Sequence, residues 1–444
     1  MKGLAVLVLS LLAVWPAMGQ QEPPALLDAM LAQHHVETSA PTYTLDDLEA
    51  AALTGNPGLK AAAARIAVVE ARAPQAGALE DPMLQVRTWG VPLRRPWDLD
   101  RSQNMVMLSQ ALPGPGKRGL ADKVARQDVA ISRSELEAMR RDVLLQVRQA
   151  YYDLLRNRDE LLLHDRQVAL ARQAFEAARI KYSVGKVPQQ DTLKAQIVLT
   201  RLVEHLVMLD EQGAMARARL NTLLGRGPGE PLRVVGAYTS PDQLPALSEL
   251  ERAAIANRPE LAGLRRSVQQ GEDKLALARK TYLPDFQVGA GYMLGPTGME
   301  FRNGYMAEFS MTLPWFNKRR HDSEIAEASA EISLRNAELE SKRNAVRQEL
   351  QEALIRVQSA KRLVDLYRNT LAPQVDSALR SASAAYQTDR TDFLNLIDSQ
   401  NMALDVRTAY YRSLADLDTR LSELERATGT PIRRAISPRQ GEAP

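Results

Sequence analysis

The composition of this 444-residue chain excludes several classes of protein before any motif is considered. The chain contains no cysteine, which excludes disulfide bonds, thiolate catalysis and zinc sites with cysteine ligands. Its 57 basic and 54 acidic residues are finely interspersed, a pattern typical of a solvated surface, so we do not expect nucleic-acid binding.

Residues 1–19 have the features of a secretory signal peptide. Lys2 precedes an apolar run from Leu4 to Val14, and Ala17-Met18-Gly19 is typical of a cleavage site. The run is shorter than the ~20 residues that a membrane-spanning helix needs, and no later segment is apolar enough to be one. We therefore expect an exported chain with a leader segment over 20–43, and any membrane crossing must use strands.

Helical patterns dominate the mature chain. Thr44 and the acidic residues after it resemble a helix N-terminus, and Asn56-Pro57 interrupts this helix early. A long helix is predicted from about Gly119 to Ser183, and a second one precedes Thr388. Both carry apolar residues at seven-residue spacing, as in a coiled coil. The two series are Val147, Leu154, Leu161, Val168, Phe175 and Tyr182, and Leu350, Val357, Val364, Leu371, Ala378 and Ala385.

A turn follows each long helix, and the chain then reverses direction. The turns are predicted over 184–188 and 388–391, and each is followed by a returning helix of ~36 residues. These helices end near Gly225 and Gly429. A loop over 226–246 connects the first of them to the rest of the chain.

Two pairs of segments between the helices have the period of strands. Apolar residues alternate with polar or small ones over 286–294 and 305–313, and more weakly around Leu84 and Val106. Such strands match a membrane barrel in length, but four of them cannot close one. Because an open sheet edge in lipid leaves backbone groups unpaired, two, three or four copies of the chain must share the barrel.

The same order of patterns occurs twice, about 200 residues apart. Pro57 and Pro82 return as Pro259 and Pro284, and Tyr182 returns as Tyr386. We therefore divide the mature chain into a first structural repeat over 44–246 and a second over 247–429. A tail over 430–444, rich in proline and arginine, is expected to be disordered.

This repeated order resembles the TolC-type outer membrane efflux channel family over nearly the whole mature chain. The resemblance is most specific in the segment from Tyr182 to Leu193 and in its counterpart from Tyr386 to Ile397. It implies a mainly α fold with a small β part. Long antiparallel coiled-coil helices would form a periplasmic tunnel, and four membrane strands per protomer would complete a shared trimeric β-barrel.

The resemblance also implies a function and partners. A homotrimer in the outer membrane, spanning into the periplasm, would be the passive exit duct of a tripartite efflux pump or a type I secretion system. It would contact outer membrane lipid, a periplasmic adaptor protein and an inner membrane transporter of RND or ABC type. The segment from Leu112 to Arg118 looks like the heavy-metal branch of the family, which makes metal ions such as copper the leading cargo among small toxic solutes.

The family's periplasmic gate and its adaptor contact can be carried over by position. The residues matching the gate or constriction are Tyr386, Arg390, Asn395 and Asp398, with Asp191 at the position of Asn395 in the first repeat. The residues matching the tip that contacts the adaptor are Gly185, Lys186, Val187, Asp389 and Thr391.

Two of these positions depart from the family pattern. Asn395 stands where an aspartate is usual and Thr391 where an arginine is usual, so cation selectivity would depend on Asp398. The alternative interpretation is that the polar residues here cap helix starts.

Other chemistry is weakly indicated. No catalytic or phosphate-binding motif is present, so we expect a non-enzyme without a cofactor. His164 and His205 would meet after the chain reverses, but no third ligand is placed to complete a metal site, and we predict none.

Seven methionines lie in or beside the strand windows, where apolar packing is the simpler explanation and a soft-metal pathway the alternative. They are Met83, Met105, Met107, Met293, Met299, Met306 and Met311.

Two other classes of protein remain open at this stage. A periplasmic adaptor is also exported and rich in helical hairpins, but adaptors normally carry one hairpin flanked by β-rich domains. An extracellular coiled-coil structural protein would not need strands with an apolar face. Here two hairpins alternate with two strand pairs, which favours the exit duct.

Overall fold

The computed structural model describes residues 40–91, 93–94, 97, 102–239, 241, 243–295, 303–388 and 390–432. The predicted signal peptide, most of the leader and most of the tail lie outside the described residues. The chain divides into two compact units. The first unit comprises Met1–Glu49, Val147–Ser240 and Ser359–Thr419, and the second comprises Ala50–Gln146, Pro241–Gln358 and Arg420–Pro444.

Helices dominate the described residues, as predicted. The α-helices there are α1 (Leu45–Gly55), α2 (Pro57–Ala76), α3 (Lys117–Ser183), α4 (Gln189–Leu223), α5 (Leu247–Asn257), α6 (Pro259–Arg279), α7 (Lys318–Leu366), α8 (Ala372–Gln387) and α9 (Phe393–Thr428). The strands there are β1 (Thr42–Tyr43), β2 (Met83–Trp89), β3 (Gln103–Leu112), β4 (Arg233–Val234), β5 (Phe286–Leu294) and β6 (Asn303–Met311).

The predicted helix starts are confirmed in detail. The Thr44 hydroxyl accepts a hydrogen bond from the Asp47 N–H at 3.3 Å, and the Asp47 carboxylate accepts one from the Thr44 N–H at 3.0 Å. This reciprocal pair satisfies two backbone donors before α1. At the early interruption, the Asn56 side chain accepts from the Leu59 N–H at 3.1 Å and Pro57 occupies the first helical position of α2.

The second long helix is not regular throughout. A single π-helical turn, Tyr367–Leu371, separates α7 from α8, and the Ala372 N–H bonds to the carbonyl of Tyr367. Pro373 explains the turn, because its ring would clash with the carbonyl four residues earlier in an α-helix and it has no N–H to donate. By contrast, α3 runs uninterrupted over 67 residues.

The heptad prediction holds before this turn and is wrong after it. Leu350, Val357 and Val364 are buried, but Ala378 is exposed and Val375 is buried in its place. A π turn adds one residue to the helix, which rotates the following positions away from the earlier seam. In the first series, Val147, Leu154 and Val168 are buried, and Val168 packs against Leu199, Leu202 and Leu206 of α4.

The second unit contains a four-stranded antiparallel sheet in the order β2-β3-β5-β6. Both predicted strand pairs are present, and β3 pairs with β5 to join them. Lys117 closes one end of this central pair with an ion pair to Asp285 at 2.7 Å, and Asp285 also accepts from the Gly114 N–H at 2.7 Å. A side chain at Gly114 would meet the Pro284 carbonyl oxygen at 2.7 Å, so only glycine fits there.

One face of this sheet is apolar and exposed. The large side chains on it are Leu84, Val86, Val106, Leu108, Val288, Tyr292, Leu294, Tyr305, Phe309 and Met311, all exposed in the protomer. Water-exposed apolar faces of this extent mark a surface that meets lipid or another protein. Within the described residues, no helix is both long and apolar enough to cross a bilayer.

A short parallel sheet lies in the first unit. Thr42 of β1 pairs with Arg233 of β4, and Tyr43 pairs with Val234. Strand β1 lies at the end of the predicted leader segment. The pairing is supported because the guanidinium of Arg226 lies 5.6 Å from the Tyr43 ring and donates to its hydroxyl at 3.1 Å.

Candidate functional site

The site is built on the turns that follow α3 and α8, both in the first unit. In the first turn, Gly185 has φ of +72°, a left-handed conformation that favours glycine. Its N–H bonds to the Tyr182 carbonyl at 2.9 Å, and the Lys186 N–H bonds to the Lys181 carbonyl at 2.8 Å. This pattern satisfies the last carbonyls of α3 and lets the chain reverse into α4.

The second turn is completed by side chains. Asp392 accepts a hydrogen bond from the Asn395 N–H at 3.1 Å, so it caps α9. The Asn395 amide donates to the Asp392 carboxylate at 2.6 Å and to the Thr391 hydroxyl at 3.2 Å. Asn395 therefore takes part in a capping network, as the alternative interpretation of the sequence proposed. The sequence analysis missed Asp392, although an aspartate directly before a helix start is a strong capping signal.

An apolar cluster packs the two turns against each other. It contains Ala174, Ala178, Ala195, Tyr386, Phe393, Leu396 and Ile397. These residues come from α3, α4, α8 and α9, so all four helices meet at this level. Tyr386 is only 6% exposed, and its ring meets that of Phe393 edge to face with centroids 5.8 Å apart.

Lys181 of α3 holds Tyr386 from the other side. Its ammonium nitrogen lies 4.1 Å from the centroid of the Tyr386 ring and donates to the Tyr386 carbonyl oxygen at 3.0 Å. One side chain of the first hairpin thus binds both the ring and the backbone of the second. Lys181 was not predicted from the sequence. The one signal for it is a difference between the repeats: a lysine precedes Tyr182, whereas Ala385 precedes Tyr386.

Most of the predicted gate and tip residues surround one open cavity of about 640 Å³. Its lining consists of Lys181, Lys186, Val187, Pro188, Asp191, Tyr386, Arg390, Thr391, Asp392 and Phe393. The cavity therefore brings together side chains that the sequence places about 200 residues apart. Its lining includes three cationic side chains, two acidic side chains and the aromatic residues Tyr386 and Phe393.

The remaining predicted residues lie elsewhere. Gly185 and Asn395 do not line the cavity, and Asp389 is outside the described residues. Asp398 lies one turn beyond Asn395 on α9 and is exposed. Within the described part of the chain it has no hydrogen-bond or ion-pair partner, so its charge is not neutralised by a neighbouring side chain.

The two candidate histidines do meet. The His164 and His205 rings have centroids 5.5 Å apart, and the His164 side chain is buried. Burial lowers the pKa of His164, with the nearby His205 and Arg412 acting in the same direction and Glu160 opposing them. Glu160 is itself paired with Arg412 at 2.9 Å. Among the described residues, no group of three or more His, Cys, Asp or Glu side chains is arranged to hold a metal ion.

Two helical hairpins that repeat along the chain, joined to a four-stranded sheet with an exposed apolar face, define a class of outer membrane channel proteins. The comparison with protein families agrees. The profile of the outer membrane efflux protein family matches residues 48–226 and 250–430. The chain belongs to the outer membrane efflux protein family.

Individual relatives are distant. The cobalt-zinc-cadmium resistance protein CzcC of Cupriavidus metallidurans is 20% identical over 314 residues, which are 71% of this chain and 74% of CzcC. The structure of the outer-membrane channel OprN has a TM-score of 0.74 at 18% identity and covers 88% of this chain and 90% of OprN. The structure of CusC, solved in relation to transmembrane channel formation, has a TM-score of 0.75 at 17% identity over 87% of this chain and 92% of CusC.

These findings decide between the classes left open by the sequence. The chain is an outer membrane efflux protein, a transport duct that extends into the periplasm, and the fold has the long helices and the small sheet of the channel structures. The periplasmic adaptor considered as an alternative is not favoured, because the family match covers both hairpins.

Proposed function

We propose that this chain is the passive exit duct of a tripartite efflux pump and that it works as a homotrimer. The observation that supports this best is the open sheet. Its outer strands β2 and β6 each have one unpaired edge within the described protomer, and its apolar face fits lipid. Unpaired backbone groups in a bilayer cost several kcal/mol each, so neighbouring copies complete the sheet into a barrel.

The two structural repeats, over 44–246 and 247–429, would then be the units of a tunnel wall. Three protomers contribute equivalent hairpins, and the tunnel leads from the periplasmic turns to the outer membrane. A periplasmic adaptor protein and an inner membrane transporter, of RND or ABC type, supply the connection and the energy. The duct itself carries out no reaction and needs no cofactor.

The turns of the first unit are the proposed gate. Tyr386 and Arg390 belong to the packed second turn, and Asp398 presents the free charge that would favour cations at the constriction. Asp191, which lines the cavity from the first hairpin, adds a second acidic position. Gly185, Lys186, Val187, Asp389 and Thr391 are the proposed contact with the adaptor.

Metal ions are the proposed cargo. Resistance to cobalt, zinc and cadmium is named for the relative CzcC, and the segment from Leu112 to Arg118 resembles the heavy-metal branch of the family. Small organic toxins and the substrates of a type I secretion system are the alternatives.

A deletion strain tests the cargo. Loss of the gene should lower tolerance to one or more of copper, silver, zinc, cobalt and cadmium, and a plasmid copy should restore it. Unchanged tolerance to every metal, with lost tolerance to organic toxins, would contradict the metal assignment. Recovery of the protein from the soluble periplasm without detergent would contradict the duct itself.

A further inference from the structure

The register of the sheet places methionines on the face opposite the apolar one. Directly opposed residues of antiparallel strands point to the same side of a sheet, and successive residues alternate between sides. Met105 is paired with Met293, and Met107 and Met306 are both paired with Gly291. Met83 is paired with Ser109 in the next row.

Three successive rows across the sheet therefore each carry at least one thioether. The first row is Arg87, Met105, Met293 and Gly304; the second is Gln85, Met107, Gly291 and Met306; the third is Met83, Ser109, Gly289 and Glu308. The intervening residues form the apolar rows, for example Val86, Val106, Tyr292 and Tyr305. The methionine face contains the charged Arg87 and Glu308, and the other face contains most of the large apolar side chains.

Along β3, burial distinguishes the two faces in the same way. Met105 and Met107 are only 5% and 3% exposed, whereas Val106 and Leu108, which alternate with them along β3, are 46% and 55% exposed. The apolar face is the one that fits lipid, so the methionine face is directed into the barrel lumen. Packing against lipid therefore does not account for these methionines.

Two glycines adjoin the methionines. Gly291 separates Met107 from Met306 in one row, and the backbones approach closely there, because a Cβ at Gly291 would lie 2.6 Å from the Val106 carbonyl oxygen and 3.0 Å from the Met107 Cα and Cβ atoms. A Cβ at Gly304, beside Met293, would meet nothing within 4 Å. Neither glycine carries a side chain, and long, flexible methionine side chains can extend over these positions, so sulfur atoms from neighbouring strands can approach a common point.

Thioethers are neutral, soft ligands that select soft cations such as Cu(I) over Zn(II) or Co(II). We propose that the lumenal face of this sheet binds soft monovalent metal ions, Ag(I) or Cu(I), through Met105, Met107, Met293 and Met306. The inference rests on the proposed function, because the trimer repeats the rows around the lumen. Several weak sites in successive rows let an ion enter and leave, as conduction requires.

Silver binding to the full-length trimer in detergent tests this. The chain has no cysteine, so a sulfur ligand to silver must come from methionine. Titration calorimetry with silver nitrate in chloride-free buffer should detect binding, and X-ray absorption at the silver edge should show sulfur neighbours. The double variants Met105→Leu/Met293→Leu and Met107→Leu/Met306→Leu should each weaken binding by at least about tenfold.

A matched control is available in the same sheet. Met311 is paired with Phe286 on the apolar face, so Met311→Leu should leave silver affinity unchanged. Zn(II) binding should be equal in all variants. If one double variant does not assemble into a trimer, the silver affinity of the other double variant tests the proposal. The absence of sulfur neighbours around silver in the unaltered protein would overturn it.

Channel conductance separates this inference from the proposed function. Suppose that the unaltered protein and both double variants conduct potassium in planar bilayers but bind silver equally or not at all. The proposed channel function is then supported, and the proposed silver site on the methionine face is wrong. If the unaltered protein forms no channel, the proposed function itself fails.

Discussion

The two hairpin turns have the same backbone plan but different side-chain packing. Tyr182 in the first turn is 45% exposed, whereas its counterpart Tyr386 in the second is 6% exposed and packs on Phe393. The acidic Asp191 of the first hairpin corresponds to the neutral, capping Asn395 of the second. The two repeats thus have similar turns, but the tyrosine of the second turn is packed and the tyrosine of the first is largely exposed.

The helices leading into these turns differ too. The first reaches its turn as the continuous α3, and the second reaches it through the π turn at Tyr367–Leu371. Irregular turns of this kind are frequent at functional sites. The second hairpin is therefore the one that combines a tightly packed turn with an irregularity in the helix behind it.

Truncating the two tyrosines should give the largest difference between the copies. Tyr386→Ala removes a buried ring and should destabilise the second turn by about 3 kcal/mol. Tyr182→Ala should cost less than about 0.5 kcal/mol, because its ring is largely in water. Hydrogen exchange of the amides over 384–396 in the intact trimer measures the effect. Equal protection of those amides in both variants would contradict the asymmetry.

Removing the lysine that links the copies should have a smaller effect. Lys181→Met keeps the apolar stem but loses the ring contact and the hydrogen bond to the Tyr386 carbonyl, which together contribute about 1 kcal/mol. Channel openings in planar bilayers should become more frequent. The control is Arg179→Met, whose exposed ion pair with Glu176 contributes little. The same opening frequency in the two variants would argue against a linking role for Lys181.

Exchanging charge at the second turn should shift ion selectivity. Asp398→Asn should lower the preference for cations. Asn395→Asp should raise it, because the second hairpin then carries a negative charge at the position that Asp191 occupies in the first hairpin. Reversal potentials in a potassium chloride gradient measure both. Glu176→Gln, which removes an exposed charge from α3, controls for net charge. A reversal potential that responds to Glu176 and not to Asp398 would move the filter away from α9.

The smallest expected effect is a dependence on pH in the first hairpin alone. The pKa of His164 is lowered by burial, so the unfolded chain binds its proton more readily than the folded chain. The stability that the neutral His164 contributes is therefore fully present above the ordinary histidine pKa of 6.5, and it is lost as the pH falls below that value. His205, Glu160 and Arg412 are the titratable or charged groups that influence it.

Thermal unfolding of the purified trimer at about pH 7.5 and about pH 5.5 tests this dependence. His164→Leu should reduce the loss of stability on acidification relative to the unaltered protein. An identical loss in both proteins would assign the pH dependence to other groups.

Patterns of short period allowed most of the fold to be predicted. Alternation over 286–294 placed β5 and its apolar face, and Asn56-Pro57 placed the interruption between α1 and α2. The break between α5 and α6 before Pro259 was not predicted, although Pro259 repeats Pro57. The heptads failed after Pro373, because periodicity assumes an unbroken helix and a π turn resets it. The visible proline signals some irregularity but does not specify a π turn.

The candidate site was less predictable. The motif around each turn located Tyr386 and Arg390, since their spacing from the turn is local. The contact of Lys181 with Tyr386 depends on how two hairpins pack, which no local pattern encodes. Likewise, the methionines of the sheet looked like ordinary packing until the pairing of β3 with β5 and of β5 with β6 placed them on one face.

The short pairing of β1 with β4 has a practical consequence for handling the protein. An affinity tag inserted ahead of Pro41 leaves Tyr43 stacked on Arg226, so it preserves the fold of that region. Removing the chain through Tyr43 takes away the strand that pairs with Arg233 and the buried Val234, and it leaves β4 with an unpaired edge. Shortened versions of the protein should therefore begin before Thr42, so that β1 is kept.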